Sequence, residues 1–324
     1  MMRHLFIVNP ATKIIRGKTK PVIDEISSFF AKYPEIKYDI HVSQWCRDAI
    51  MLIQDYIAGL KDEPVRVHSI GGTGTLFEVI NSVAGLQNVE VAAHSYGRAN
   101  TFLRYFGYRN VNRFLSLKSQ VFGKTVPMDI IRCGNNYGIC YGMSGIEAYA
   151  NALGDNWIEK GIPGDISYTL AGMAMILKGK GSQNYFMEID GSKIEGDFAS
   201  VMVANAPCYG INMYPAIDAH PNDGVLDVYI FKNAPKIKIL SHIPGYTRGN
   251  YRSMPDLVLH YRGKKIKLSS DEVMCMSIDS EHFYGTSIEY EVMPKAIRFV
   301  CPGGIDLMKL PRIYNKPREG LLSE

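Results

Sequence analysis

The chain has 324 residues, 46% hydrophobic and 21% charged, enough to bury a sizeable core, and its length points to two domains rather than one. A net charge of +4 at pH 7 suits an anionic nucleotide or an anionic lipid surface and falls well short of a nucleic-acid footprint, so no nucleic-acid partner is expected. Six cysteines, Cys46, Cys133, Cys140, Cys208, Cys275 and Cys301, stand without a CxxC pair, which signals neither a zinc site nor a disulfide framework and predicts reduced, mostly buried thiols.

Near the N-terminus the apolar run Leu5 to Val8 is too short for a signal-peptide core. The apolar stretch Tyr168 to Leu177 stops at Lys178, short of the roughly 20 residues of a spanning helix. The expected location is therefore cytoplasmic, with any membrane contact peripheral.

Over the first hundred residues short apolar strands alternate with helical segments. Leu5 to Val8 is followed by a helix near Pro21 to Tyr33, then Tyr38 to Val42 by a helix near Arg47 to Leu60. That alternation predicts βαβ units around a parallel sheet. Val65 to Ile70 and Val89 to Ala93 add two buried-looking strands, each running into Gly, Ser, Thr or Asn and then a helix, and such strand ends are where these sheets bind ligands. After about Asp129 the texture changes to strands such as Asn184 to Ile189, Ala199 to Ala204 and Val225 to Phe231, with two helical stretches between them. Lys264 to Leu268, Val273 to Ile278 and Ser287 to Val300 continue an antiparallel β half. The domains are expected at 1–130 and 131–300, with 301–324 returning to the first.

Gly71-Gly72-Thr73-Gly74-Thr75 places three glycines between a strand and an amphipathic helix. Without Cβ atoms, backbone amides can approach an anion, and the helix N-terminus adds unpaired N–H donors and partial positive charge. A Gly-rich turn is also a plain structural device, so phosphate binding and simple turn formation both remain open at this point.

The wider pattern resembles the diacylglycerol kinase catalytic family, which is similar to sphingosine kinases and NAD kinases. Gly71 to Asn81 resembles its GGDGT-xx-E-xx-N signature, and Val8-Asn9-Pro10-Ala11 its opening strand and turn. Ser95 to Arg104 resembles its Pro-x-Gly-Thr-x-Asn-Asp-Phe-x-Arg loop. Met128-Asp129, Val203-Ala204-Asn205, Tyr209-Gly210, Pro215-Ala216, Asn222 to Val228 and Ile278 to Glu281 follow in the family's order. The resemblance implies a three-layer, Rossmann-like α/β domain followed by a β-sandwich domain, with ATP held in the cleft and a lipid hydroxyl phosphorylated. It implies nucleotide-binding or framing positions at Asn9, Gly71, Gly72, Thr73, Gly74, Thr75, Glu78, Asn81, Gly97, Arg98 and Asn100. Asp279 resembles the general base and Glu281 its partner, while Asp129 and Asp223 are candidate Mg²⁺ ligands. For Glu78 and Asn81, three apart on one helix face, solvation or a helix-end contact is nearly as strong a reading as ligand contact. For Asp223 a tight Asn-Asp-Gly turn is an equal reading.

Thr73 and Thr101 stand where the family carries aspartates, and Arg98 where its loop has Thr. Two formal negative charges that would organise Mg²⁺ are thus missing. Three readings compete: an active lipid kinase with a modified metal site, a degenerate relative that binds an anion without turnover, and a NAD-kinase-like enzyme. The partners expected are a nucleotide and a lipid at a membrane surface, with a homodimer left open.

Overall fold

Strands read as unbroken apolar runs need cover on both faces, and the N-terminal strands have it. In the computed structural model, which describes residues 2–12, 15–45, 47–97, 101–179, 182–210, 213–279, 281–303 and 305, every residue from Val65 to Gly71 is buried. The chain divides into two units, Met1–Met128 with Lys295 onward, and Asp129–Pro294.

The first unit runs β1 (Arg3–Val8), α1 (Thr19–Phe30), β2 (Tyr38–Val42), α2 (Asp48–Gly59), β3 (Val65–Gly71), α3 (Thr73–Val83), β4 (Val89–Ser95), two 3-10 turns, α4 (Leu117–Val121) and β5 (Lys124–Cys133), the last leading into the second unit. Its sheet is parallel in the order β4-β3-β1-β2, and Arg298 and Phe299 pair parallel with β4. Phe6, Val8 and Ile70 point to one face, where Val22, Ile26 and Phe30 of α1 and Leu117 and Val121 of α4 cover them. Parallel strands buried on both sides need such helices to cover them.

The second unit runs β6 (Asn136–Gly138), β7 (Tyr141–Gly145), α5 (Ile146–Glu159), α6 (Gly164–Lys178), β8 (Gln183–Ile189), β9 (Ser192–Ala204), β10 (Leu226–Lys232), α7 (Lys236–Tyr246), β11 (Val258–Gly263), β12 (Lys265–Ile278) and β13 (Glu281–Cys301). The strands pair antiparallel in the order β11-β10-β9-β7-β12-β13, and β8 joins β9 and β12. Asp190 and Gly191, both at positive φ, turn β8 into β9, a geometry that Asp and Gly tolerate.

Two expectations need correction here. Lys264 to Leu268 and Val273 to Ile278 are not separate strands: one strand, β12, spans them, and the polar run between shows as a register shift from Ser269 to Met274 against β13. A β-bulge absorbs residues that cannot stay in the ladder. Among the described residues the α-helices in this half number three rather than two, because α7 keeps Pro244 and Gly245 inside its last turn, where breakers read as a loop. Cys133, Cys140, Cys208, Cys275 and Cys301 are buried free thiols, and Cys46 lies outside the described residues.

Candidate functional site

In the first unit the site is built on the turn from β3 into α3. A side chain on Gly71 would place its Cβ 2.2 Å from Thr75 Oγ1, so only glycine fits there. A Cβ on Gly72 would lie 3.6 Å from the Cα of Gly97, which brings the Ser95 to Gly97 segment beside the turn. Around Gly74 nothing lies within 4 Å of an added Cβ, and the residue is exposed. No side chain caps the first turn of α3. The start of this 11-residue helix therefore presents backbone N–H groups beside open space, the arrangement that accepts phosphate oxygens.

Asn9 ties the strand β1 to this turn rather than standing apart from it. Its Nδ2 donates to Thr75 Oγ1 at 3.1 Å and its Oδ1 accepts the Ala11 N–H at 2.9 Å. Thr75 is buried, so both residues frame the turn from behind. Thr73, the first residue of α3, is half-buried. Thr101, the other residue standing for an aspartate, is only 4% exposed.

Glu78 makes a helix-end contact rather than standing in solvent. Glu78 is buried and its Oε1 accepts the N–H of Arg47, the residue before α2, at 3.2 Å. Arg47 sits at φ 66, a left-handed geometry costly for a non-glycine residue, and the carboxylate helps to hold it. Asn81, half-buried, donates back to the Phe77 carbonyl at 2.8 Å. Arg98 and Asn100 lie outside the described residues.

In the second unit Asp279 closes the turn between β12 and β13 at φ 48. Its carboxylate accepts three backbone N–H groups, from Ile139 at 2.8 Å, Cys140 at 2.9 Å and Tyr141 at 3.0 Å. Its own N–H donates to the Tyr141 carbonyl at 2.8 Å. Only 2% of the residue is exposed. Burial pushes its carboxyl up to about 6, and the three amides oppose that rise. Asp279 thus holds one turn against the β6–β7 connection, while Glu281, two residues on, is half-buried.

Asp129 and Asp223 meet around one loop without joining a cation cage. Asp129, fully buried, accepts the Gly224 N–H at 2.7 Å, and its own N–H donates to the Pro221 carbonyl. Asp223 accepts from Arg262 and from the Val225 N–H, and burial raises its carboxyl against the pull of Arg262. Among the described residues no group of three or more His, Cys, Asp or Glu could hold a metal ion. Asp129 and Asp223, engaged by the Gly224 N–H and by Arg262, do not fit a resident Mg²⁺.

Three arrangements escaped the sequence reading. His282 Nε2 lies 2.9 Å from Asp155 Oδ2, and Tyr168 donates to the other oxygen of that carboxylate. Arg66 donates to Glu90 through Nε and Nη2, at 2.9 and 2.6 Å, and to the carbonyls of Gln120, Val121 and Gly123. His4, His68 and His94 form a buried file across β1, β3 and β4, with nitrogens 2.9 and 3.0 Å apart. For the file a signal was available: one histidine in each of three neighbouring, mainly apolar strands.

Comparison with known proteins bears on the family and the fold. The family described as "Diacylglycerol kinase catalytic domain" matches residues 3–133, and that described as "YegS C-terminal NAD kinase beta sandwich-like domain" matches residues 141–301. The chain is similar to "Probable lipid kinase YegS-like" of Shewanella frigidimarina (strain NCIMB 400), 26% identical over 268 residues, covering 82% of this chain and 84% of that one. It is similar also to a protein of Staphylococcus aureus (strain JH9) whose name places it with lipid kinases, 28% identical over 234 residues, covering 71% and 75%. A diacylglycerol kinase crystal structure from Bacillus anthracis str. Sterne shares the fold, with a TM-score of 0.65 at 17% identity over 94% of this chain and 98% of the other. No helix of the described residues is long and apolar enough to cross a membrane.

Proposed function

Because the chain belongs to the diacylglycerol kinase catalytic family, we propose that it is an ATP-dependent kinase acting on a hydroxyl of diacylglycerol or a related lipid. The observation that carries this reading is the uncapped start of α3, where a Cβ on Gly74 would meet open space. Phosphate oxygens of ATP receive the N–H groups there, with Asn9 and Thr75 bracing the turn.

The second unit supplies the acceptor side. Phosphoryl transfer asks mainly for positioning and charge stabilisation. As the lipid oxygen bonds to the γ-phosphorus and the bond to the ADP oxygen breaks, Glu281 receives the hydroxyl proton. Asp279, saturated by three amides, keeps the turn in place. Exposure supports Glu281 as the base over Asp279, because Glu281 is half-buried whereas Asp279 is only 2% exposed, and a base must come within reach of the hydroxyl.

The test is ATP labelled at its γ-phosphate, incubated with mixed micelles of diacylglycerol. Label should pass to the lipid phase. A second reading, an anion-binding protein without turnover, is favoured by Thr73 standing where a carboxylate is expected and by the lack of a metal cluster among the described residues. Nucleotide binding by calorimetry with no labelled product from any lipid would select it.

A further inference from the structure

Helix α6 turns an apolar face to solvent. Ile166, Leu170, Met173 and Leu177 recur at helical spacing and are 50%, 45%, 45% and 55% exposed, while Ser167, Ala171 and Met175 are buried. The periodicity is that of an amphipathic helix whose outer face is the apolar one. No charged residue interrupts 166–177, and the first to appear is Lys178.

The start of α7 extends the same surface. Lys236 Nζ donates to the Leu177 carbonyl at 2.5 Å, which fixes the two helix ends beside one another. Ile237, next in sequence, is 83% exposed, and Lys238 follows it in solvent. Three lysines therefore border the end of the stripe; the acidic residue of α6 is Asp165 in its first turn, at the opposite end, and Lys236 to Tyr246 contains no Asp or Glu.

We infer that α6 and the start of α7 dock on an anionic lipid bilayer. Side chains of Ile166, Leu170, Met173, Leu177 and Ile237 enter the boundary between headgroups and acyl chains, and Lys178, Lys236 and Lys238 meet anionic headgroups. A second copy paired two-fold through this patch would set the lysine-bordered end of one stripe against the same surface of its partner. The inference deepens the lipid-kinase reading, on which it rests for its purpose, by saying which face of the second unit meets the substrate's membrane.

The full chain should sediment with vesicles of phosphatidylcholine and phosphatidylserine, much less with phosphatidylcholine alone, and less as salt rises. Leu170→Ser with Met173→Ser should weaken that binding about tenfold. Lys178→Glu with Lys238→Glu should abolish the preference for phosphatidylserine. All four positions are exposed, and thermal melting confirms that each variant folds. On a short-chain, water-soluble diacylglycerol both variants should turn over like the wild type. A wild type that binds these vesicles yet phosphorylates no lipid leaves the docking face standing and removes the kinase reading. Variants that bind vesicles as the wild type does overturn the inference, and so does gel filtration showing a dimer that Leu170→Ser separates.

Discussion

An added Cβ at Gly71 would stand 2.2 Å from the hydroxyl of Thr75, yet one at Gly74, three residues along, would touch nothing. Gly71→Ala should therefore cost about 1–3 kcal/mol through overpacking. Gly74→Ala should raise stability by roughly 1 kcal/mol, since it replaces a helical glycine, while lowering ATP affinity about tenfold if phosphate lies against it. Urea unfolding and calorimetry of the two variants separate the roles. Undiminished ATP affinity in Gly74→Ala removes phosphate from this turn.

Asp279 and Glu281 should part company on mutation. Glu281→Gln is expected to lose about 10²- to 10⁴-fold in turnover with an unchanged melting temperature. Asp279→Asn should cost about 1–3 kcal/mol, because an amide offers one acceptor oxygen to three N–H donors. The folded carboxyl of Asp279 is raised to about 6, so its contribution to stability is fullest below its unfolded value near 4 and is lost as pH rises through 6. Asp279→Asn should remove that component from the pH profile. A Glu281→Gln enzyme with the wild-type rate excludes Glu281 as the base.

The histidine file has the opposite sign. Burial holds His4 down to about 4 and His94 to about 3, with His68 also far below its usual value. Each is neutral when folded and gains a proton on unfolding. Stability is present above the unfolded value near 6.5 and is lost as pH falls from there toward 4, by about 2 kcal/mol per histidine at pH 5. Denaturant midpoints measured from pH 7 to 5 should fall, and His94→Gln should flatten the fall. A flat wild-type profile over this window contradicts the buried neutral file.

The two threonines standing for aspartates should not respond alike. Thr73, half-buried at the first position of α3, can become Asp with a gain of about 0.3–1 kcal/mol from the helix N-terminus, and should bring tighter Mg²⁺-dependent ATP binding. Thr101 is almost wholly buried, so Thr101→Asp should destabilise the chain by several kcal/mol, an order typical of an unpaired buried charge. Thermal denaturation of each single variant tests the contrast, and equal effects would refute it.

Much of the fold was legible because its signals are local. Tyr38 to Val42 has the same bounds in sequence and structure, since apolar strand residues are bracketed by polar ones. The Gly71 to Thr75 turn was legible because three glycines between strand and helix leave few alternatives. What could not be read is set by distant partners. Glu78 sits on a helix in sequence, and only the packing of α3 beside the start of α2 gives it Arg47. The amides that saturate Asp279 come from residues about 140 positions away. His282 faces Asp155 only once β13 has taken its register on β12 and α5 lies nearby.

The file of His4, His68 and His94 also has a direction. A neutral imidazole carries one proton, so the tautomer of His68 dictates those of both neighbours. Among the described residues Nδ1 of His94 is buried without a hydrogen-bond partner. Were the protons to point from His4 toward His94, that atom would bear an unmatched N–H, which interiors tolerate less well than a bare lone pair. The protons therefore point from His94 through His68 to His4, and reversing one ring requires reversing all three. The sheet carries a dipole written crosswise to its strands, locked by a single unaccompanied nitrogen at one end.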